Sequence, residues 1–189
     1  AAAACLACSV LFPDEENLSH TLQKALKEFK GLEHRMEFVG SVKGVDFFND
    51  SKATNDHAAA LAVKAMKKPT ILLLGGVGKS GEYVHLADAL SGKVKHAIVF
   101  GKARFELSAA LEDATTLSVV EKFDDAMNLA LRKACQGESI LLAPACSSFD
   151  EFKNYKERGE LFKSRVREFA EQKNEGSKKV QEDYDEVKS

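Results

Sequence analysis

Polar residues that could bind an anion follow three strand-like runs of this sequence. The first set, here called the first loop, is Asn49-Asp50-Ser51-Lys52-Ala53-Thr54-Asn55; the second loop is Gly75–Ser80 and the third loop is Pro144–Asp150. All three loops carry hydroxyl groups, two carry a lysine, and each leads into a helix-like segment. Backbone N–H groups at a helix start, together with hydroxyl and ammonium groups, form anion sites. The loops therefore predict a ligand with several negative groups, such as a dicarboxylate or a polyphosphate.

Strand-like and helix-like segments alternate around these loops. Continuous apolar runs such as Thr70–Leu74 are typical of strands covered on both faces, and apolar stripes at helical spacing lie between them. Lys43-Gly44 predicts a hairpin turn before the strand at Val45–Phe48. The sequence thus predicts an α/β, Rossmann-like fold: a mostly parallel, doubly wound sheet with an antiparallel edge hairpin and helices on both faces. Such sheets bind ligands beyond the carboxyl ends of their strands, where the three loops lie.

Composition excludes several other classes of protein. The 189 residues carry a net charge of −2 with acids and bases interspersed, which does not favour a nucleic-acid-binding face. We expect no membrane span, because no apolar run is long enough to cross a bilayer. Cys5 and Cys8 fit buried helix positions better than a metal site, since no second spaced pair exists. The alanine-rich start without methionine suggests a piece of a longer protein, and free thiols suit a reducing compartment.

A nucleotide-binding P-loop is the main competing interpretation of the second loop. Gly78-Lys79-Ser80 matches the end of that motif, but position 73, where its first glycine should stand, is Leu73. A stand-alone nucleotide-binding module and a non-catalytic interaction domain of the same fold remain alternatives. Taken singly, Lys79 could be a solvated lysine, and Ser147 and Ser148 could be helix caps.

Four segments together resemble the C-terminal domain of the Mur ligases. They are His34–Glu37, the first loop, Leu74–Ser80 and Pro144–Asn154. The form of the first loop is similar to that of the family members that add D-glutamate, and the likeness runs from Ala1 to Ala170. The resemblance implies that residues 1–32 are the end of a central ATPase domain with a connector helix, and that residues 33–171 are the D-glutamate-binding domain. We expect residues 172–189, which are charged and poor in apolar residues, to form a disordered tail.

The resemblance also implies an activity. It is that of an ATP-dependent ligase of peptidoglycan synthesis, which joins D-glutamate to UDP-N-acetylmuramoyl-L-alanine through an acyl phosphate with the help of Mg²⁺. An N-terminal domain would bind the UDP-sugar, and the central domain would carry the true P-loop and hold most of the Mg²⁺. The enzyme would be a cytoplasmic monomer that supports cell shape and division, and this chain alone would be inactive.

Roles for single residues follow from the same resemblance. For ATP, it implies that Arg35 contacts the phosphates, that Asp50 contacts the ribose and that Lys52 supports the first loop. At the two carboxylates of D-glutamate it implies Thr54, Lys79 and Ser148, with Phe149 and Tyr155 lining the pocket. Arg35 and Lys79 would take part in catalysis, and no residue of this chain is implied as a metal ligand. Val77 departs from the family pattern, because an acid often stands there.

Overall fold

The structure is a computed structural model that describes residues 2–13, 15, 17–29, 31–79, 81 and 83–188. The side chains of residue 2 and of residues 173–188 are not described. Contacts between Cα atoms divide the chain into two compact units, Ala1–Leu32 and Glu33–Ser189.

The first unit contains two helices, α1 (Ala2–Leu11) and α2 (Leu18–Glu28). Helix α2 is amphipathic, yet none of its residues is fully buried. Cys5 and Cys8 are half-buried and line an apolar groove with Leu22 and Phe29. The prediction that the two cysteines are helix residues is confirmed, although neither is fully buried. The assignment of this unit to a central ATPase domain stays a prediction.

The second unit is built on one six-stranded sheet. Its strands are β1 (Glu37–Val42), β2 (Val45–Asn49), β3 (Thr70–Gly75), β4 (Val94–Phe100), β5 (Leu117–Val119) and β6 (Ser139–Ala145). Their order is β1-β2-β6-β3-β4-β5; β1 is antiparallel to β2 and every other neighbouring pair is parallel. The hairpin turn has φ values of 51° at Lys43 and 76° at Gly44, as a turn with two left-handed residues requires. The predicted fold class is confirmed.

Helices cover both faces of the sheet. One face packs against α3 (Asp56–Ala65), α4 (Val84–Leu90) and α5 (Arg104–Leu111), and the other against α6 (Phe123–Lys133) and α7 (Tyr155–Lys188). Successive side chains of a strand point to opposite faces, so that Leu72 and Leu74 lie in the first core and Ile71 and Leu73 in the second. Each such buried leucine or isoleucine stabilises the fold by about 1.5–3 kcal/mol. The continuous apolar run is thus explained by burial on both faces.

Two elements extend beyond the limits that the sequence predicts. Strand β6 continues through Pro144, which we expected in the third loop. The last residue of β6 that pairs with β2 is Leu142, and the register of β6 against β3 shifts between Leu73 and Gly75. The missing N–H of proline therefore interrupts no regular ladder. Helix α7 continues to Lys188, through residues for which we expected a disordered tail. That segment is rich in lysine, glutamate and glutamine, which favour helix without any apolar face.

No helix in the described part of the chain is both long and apolar enough to cross a membrane.

Candidate functional site

The three loops meet where the direction of chain winding reverses. β3 and β6 are neighbours, but β3 leads to α4 on one face of the sheet and β6 leads to α7 on the other. Such a switch point leaves a crevice at the carboxyl ends of the strands, which is the usual ligand site of this architecture. The first loop follows β2 on the other side of β6, and the carbonyl of Ala53 accepts a hydrogen bond from the N–H of Ala145 at 2.9 Å.

The second and third loops are joined by backbone hydrogen bonds. The N–H of Val77 donates to the carbonyl of Ser147 at 2.7 Å, and the N–H of Ser147 donates back at 3.2 Å. Gly76 makes this approach possible, because its φ is 127° and an added Cβ would overlap the carbonyl oxygen of Ser147. Helix α4 begins only at Val84, whereas a P-loop runs directly into its helix after the Lys-Ser pair. The second loop is therefore not a P-loop.

Arg158 of α7 is the residue that holds all three loops together. Its side chain is fully buried and reaches each loop in turn. Nε donates to Ser51 Oγ at 3.1 Å and Nη2 to the Ser51 carbonyl at 3.0 Å; Nη1 donates to the Gly75 carbonyl at 3.1 Å, and Nη2 also to the Cys146 carbonyl at 3.1 Å. Burial lowers the pKa of Arg158 to about 10, so the guanidinium stays charged at neutral pH. A planar group with five N–H donors can bind several diverging acceptors at once.

The sequence contained a signal for Arg158 that the motif analysis did not use. Arg158 lies four residues before Phe162 and eight before Val166, both buried on α7. A charge in the apolar stripe of a helix indicates a buried polar role.

Arg35, Asp50 and Lys52, which the resemblance assigns to ATP, do lie together. They line a cavity of about 360 Å³. The rest of its lining is apolar, from Met36, Ala53, Ala58, Leu61 and Ala62. A cavity with two cations, one carboxyl and an apolar wall matches the groups of a nucleotide: phosphates, a ribose hydroxyl and a base.

The backbone on both sides of Arg35 is held in an unfavourable conformation. His34 and Met36 have φ values of 60° and 44°, a region that non-glycine residues seldom adopt and that costs about 1–3 kcal/mol. Hydrogen bonds hold the segment there: the His34 carbonyl accepts from the Lys52 N–H at 3.1 Å, and Asn49 Nδ2 donates to His34 Nδ1 at 3.0 Å. Backbone strain of this kind is concentrated at functional sites, which supports a role for Arg35.

Asp50 is the acidic residue that lines this cavity, and the residue is only 7% exposed to solvent. Burial raises its pKa to about 6, against the opposing effects of the Met36 N–H and the charge of Arg35. Near neutral pH the apo-protein therefore holds a carboxylate that is poorly solvated. A ligand that donates a hydrogen bond to Asp50 would relieve that cost.

Asp50→Asn is expected to stabilise the apo-protein by about 2 kcal/mol at pH 7.5. Because the folded pKa is about 6 and the usual value is 3.8, the folded state binds more protons between these values. The free energy of unfolding of the wild type should therefore fall as the pH rises from 4 through 6, and this fall should be smaller in the variant. Urea unfolding of both proteins from pH 4 to 8 measures the difference. The matched control is Asp88→Asn, on the exposed surface of α4; equal pH slopes for wild type and Asp50→Asn would contradict the expectation.

The residues expected at D-glutamate do not share one environment. Lys79 is exposed, Thr54 is partly buried, and Ser148 is only 2% exposed. Phe149 is 71% exposed and therefore does not line an enclosed pocket in this conformation. Tyr155 lies beside Lys52 and His34 instead: Lys52 Nζ is 5.5 Å from its ring centroid, and its ring meets that of His34 edge-on at 5.9 Å. The roles of these residues in ligand binding stay predictions.

Among the residues that the structure describes, no three side chains of His, Cys, Asp or Glu are gathered so that they could hold a metal ion. The described part of the chain therefore offers no set of side chains that would hold Mg²⁺ by itself.

Comparison with known proteins identifies the family. The model of the family described as "Mur ligase, glutamate ligase domain" matches residues 34–146, which include β1 to β6 and all of the first and second loops. The chain belongs to this family. The resemblance stated from the four sequence segments is thus confirmed at the level of the family.

Curated relatives of this Mur ligase domain carry a more specific name. The UDP-N-acetylmuramoylalanine–D-glutamate ligase of Koribacter versatilis is 42% identical over 151 residues, which is 80% of this chain and 33% of the relative. The protein of the same name from Geotalea uraniireducens is 44% identical over 143 residues, which is 76% of this chain and 32% of the relative. The chain thus spans about a third of the length of these relatives.

Solved structures agree on the fold. The UDP-N-acetylmuramate-alanine ligase MurC from Thermotoga maritima aligns with a TM-score of 0.61 over 87% of this chain and 37% of its own, at 14% identity. FolC from E. coli, solved in complex with DHPP and ADP, aligns with a TM-score of 0.50 over 76% of this chain and 32% of its own, at 18% identity. At these identities the likeness concerns the fold alone.

Proposed function

We propose that this chain is the C-terminal, D-glutamate-binding domain of an ATP-dependent UDP-N-acetylmuramoylalanine–D-glutamate ligase, of the MurD type. The relatives at 42–44% identity support this specificity. The observation that carries the proposal is the joining of the three loops at the switch point, with Arg35, Asp50 and Lys52 around one cavity. The complete enzyme would act in the cytoplasm as a monomer in peptidoglycan synthesis, and would serve cell shape and division.

On the nucleotide side, this domain would complete a site that the central domain begins. Arg35 would neutralise charge on the transferred phosphoryl group, and Asp50 would accept a hydrogen bond from the ribose. Lys52, held over the ring of Tyr155, would keep the first loop in place and add positive charge. The central domain would hold Mg²⁺ and the P-loop, and the N-terminal domain would bind the UDP-sugar.

On the amino-acid side, the domain would orient D-glutamate for attack. ATP would first phosphorylate the alanine carboxylate of the UDP-sugar precursor. Thr54, Lys79 and Ser148 would bind the two carboxylates of D-glutamate so that its free amine meets the acyl phosphate, forms the amide bond and releases phosphate. Holding a nucleophile in this geometry can lower a barrier by several kcal/mol, up to about 7–11 in well-oriented cases.

The full-length protein tests the proposal directly. We expect ADP and phosphate to form with UDP-N-acetylmuramoyl-L-alanine, ATP and D-glutamate together, and little to form with L-glutamate instead. The 189-residue chain alone should give no product, because its described residues provide neither a P-loop nor a metal site. Product from the isolated chain would contradict the assignment of the P-loop, Mg²⁺ and UDP-sugar sites to the other domains. Tight ATP binding by the isolated chain would favour a stand-alone nucleotide-binding module. A full-length protein that binds these ligands without turnover would favour a non-catalytic domain.

A further inference from the structure

The carboxylate of Asp56 joins the start of α3 to the start of α4. Asp56 is the first residue of α3, and its Oδ1 accepts the N–H of Leu86 at 2.9 Å while Oδ2 accepts the N–H of His85 at 3.2 Å. Oδ2 also contacts the ring nitrogen Nδ1 of His85 at 2.8 Å. We call this set of contacts the Asp56 clasp.

Helix α4 needs this cap from another element. The residue before it, Tyr83, has a left-handed φ of 48° and makes no side-chain cap, so its first N–H groups have no local acceptor. A carboxylate at a helix start also interacts favourably with the helix dipole, and Asp56 stands at two such starts. The His85 ring is 65% exposed, so its contact with the carboxylate adds little, and the two backbone hydrogen bonds provide most of the clasp.

The Asp56 clasp lies at one end of the segment that contains Lys79. The segment from β3 to α4 is fixed at its beginning by the Val77–Ser147 backbone pair and at its end by the Asp56 clasp. Near the same end, the Tyr83 hydroxyl lies 3.4 Å from Cys146 Sγ of the third loop. Lys79 lies between these anchors, and Thr54 lies two residues before Asp56. The clasp therefore ties the Thr54 end of the first loop to the far end of the Lys79 segment.

We propose that Asp56 is a positioning residue that sets the separation of Thr54 and Lys79, and thereby the affinity for an amino acid with two carboxylates. This inference rests on the proposed function, because it takes Thr54 and Lys79 as the groups that bind those carboxylates. A rigid separation between two donor groups favours a ligand of matching length by reducing the ordering cost of binding.

Kinetics of the full-length protein test the clasp with three variants. Asp56→Ala removes both acceptors, Asp56→Asn keeps one oxygen acceptor, and Asp88→Ala removes an exposed charge from α4 itself. We expect the KM for D-glutamate to rise about five-fold in Asp56→Ala and less in Asp56→Asn, with the KM for ATP unchanged. Asp88→Ala should behave as wild type. A lower kcat in Asp56→Ala with both KM values unchanged, as a general loss of folding would give, would contradict the positioning role.

Hydrogen exchange separates the clasp from the proposed function. The amides of His85 and Leu86 should exchange faster in Asp56→Ala than in wild type or Asp88→Ala, whatever the substrate is. Unchanged exchange would overturn the clasp. Faster exchange with an unchanged KM for D-glutamate would overturn its role in affinity while the ligase assignment stands. A wild-type full-length protein that does not turn over D-glutamate would overturn the proposed function and, with it, D-glutamate as the ligand of Thr54 and Lys79.

Discussion

Replacing Arg158 with methionine is expected to lower the free energy of unfolding by at least about 3 kcal/mol, because methionine fills the space and donates nothing. The carbonyls of Ser51, Gly75 and Cys146 would each lose the donor that Arg158 provides. A buried acceptor without a donor costs about 1–3 kcal/mol. Urea unfolding of the chain measures the change.

Two further variants separate the hydrogen bonds of Arg158 from its size and charge. Arg158→Lys keeps the charge but offers one compact ammonium in place of a planar fork, so it should recover only part of the lost stability. Arg167→Met makes the same chemical change at an exposed position of α7 and should change the stability by less than about 0.5 kcal/mol. If Arg158→Met were as stable as Arg167→Met, Arg158 would not hold the loops together.

In the full-length enzyme, the Arg158 substitution should reduce the use of both substrates. The guanidinium of Arg158 donates hydrogen bonds to the first, second and third loops. These loops contain the residues proposed to bind ATP and D-glutamate. A loss confined to ATP or to D-glutamate would show that the loops are held independently of one another.

Lys79→Ala in the full-length enzyme is expected to lower kcat/KM for D-glutamate by about 100-fold. Under the proposed function, Lys79 would donate a charge-assisted hydrogen bond to a carboxylate of D-glutamate, and such bonds are among the stronger polar contacts. Lys79→Arg should retain part of the activity, because the charge remains while the geometry changes. The KM for ATP should not change, since the cavity of Arg35, Asp50 and Lys52 does not include Lys79.

The control for Lys79 is a second lysine after a neighbouring strand. Lys102 follows β4, and its backbone N–H, which an alanine would keep, donates to Asp150 Oδ2 at 3.0 Å. Lys102→Ala should therefore leave the kinetics near those of wild type. Unchanged D-glutamate kinetics in Lys79→Ala would remove Lys79 from the site.

The sequence predicted the fold well because the two relevant periodicities are strong. The apolar run in β3 and the apolar stripe of α6 place side chains on known faces, and Lys43-Gly44 determines the hairpin turn. The limits of β6 and α7 were less predictable. A proline is tolerated where strand pairing has already shifted, and a charged segment can continue a helix by propensity alone.

The three loops of the candidate site were predictable from the sequence, but the way in which they are joined was not. Motif spacing selected the first, second and third loops, and the rule for parallel sheets placed them at one edge. The sequence did not reveal that Tyr155 packs against Lys52 and His34, or that Phe149 is exposed to solvent. Tyr155 is about a hundred positions from Lys52 and His34 in the sequence, and no local pattern encodes contacts at that distance.

By itself, then, the sequence determined the class of fold, the family and the three loops that carry polar chemistry, because these follow from periodicity and short motifs. Only the tertiary structure decided what joins the loops: the buried guanidinium of Arg158, the Val77–Ser147 pair and the carboxylate of Asp56. The physical reason is that a buried donor or acceptor must find a partner wherever the fold brings one within reach. Those partners lie far away in sequence, as Ser51 and Arg158 do, so that the chain must fold before they can be recognised.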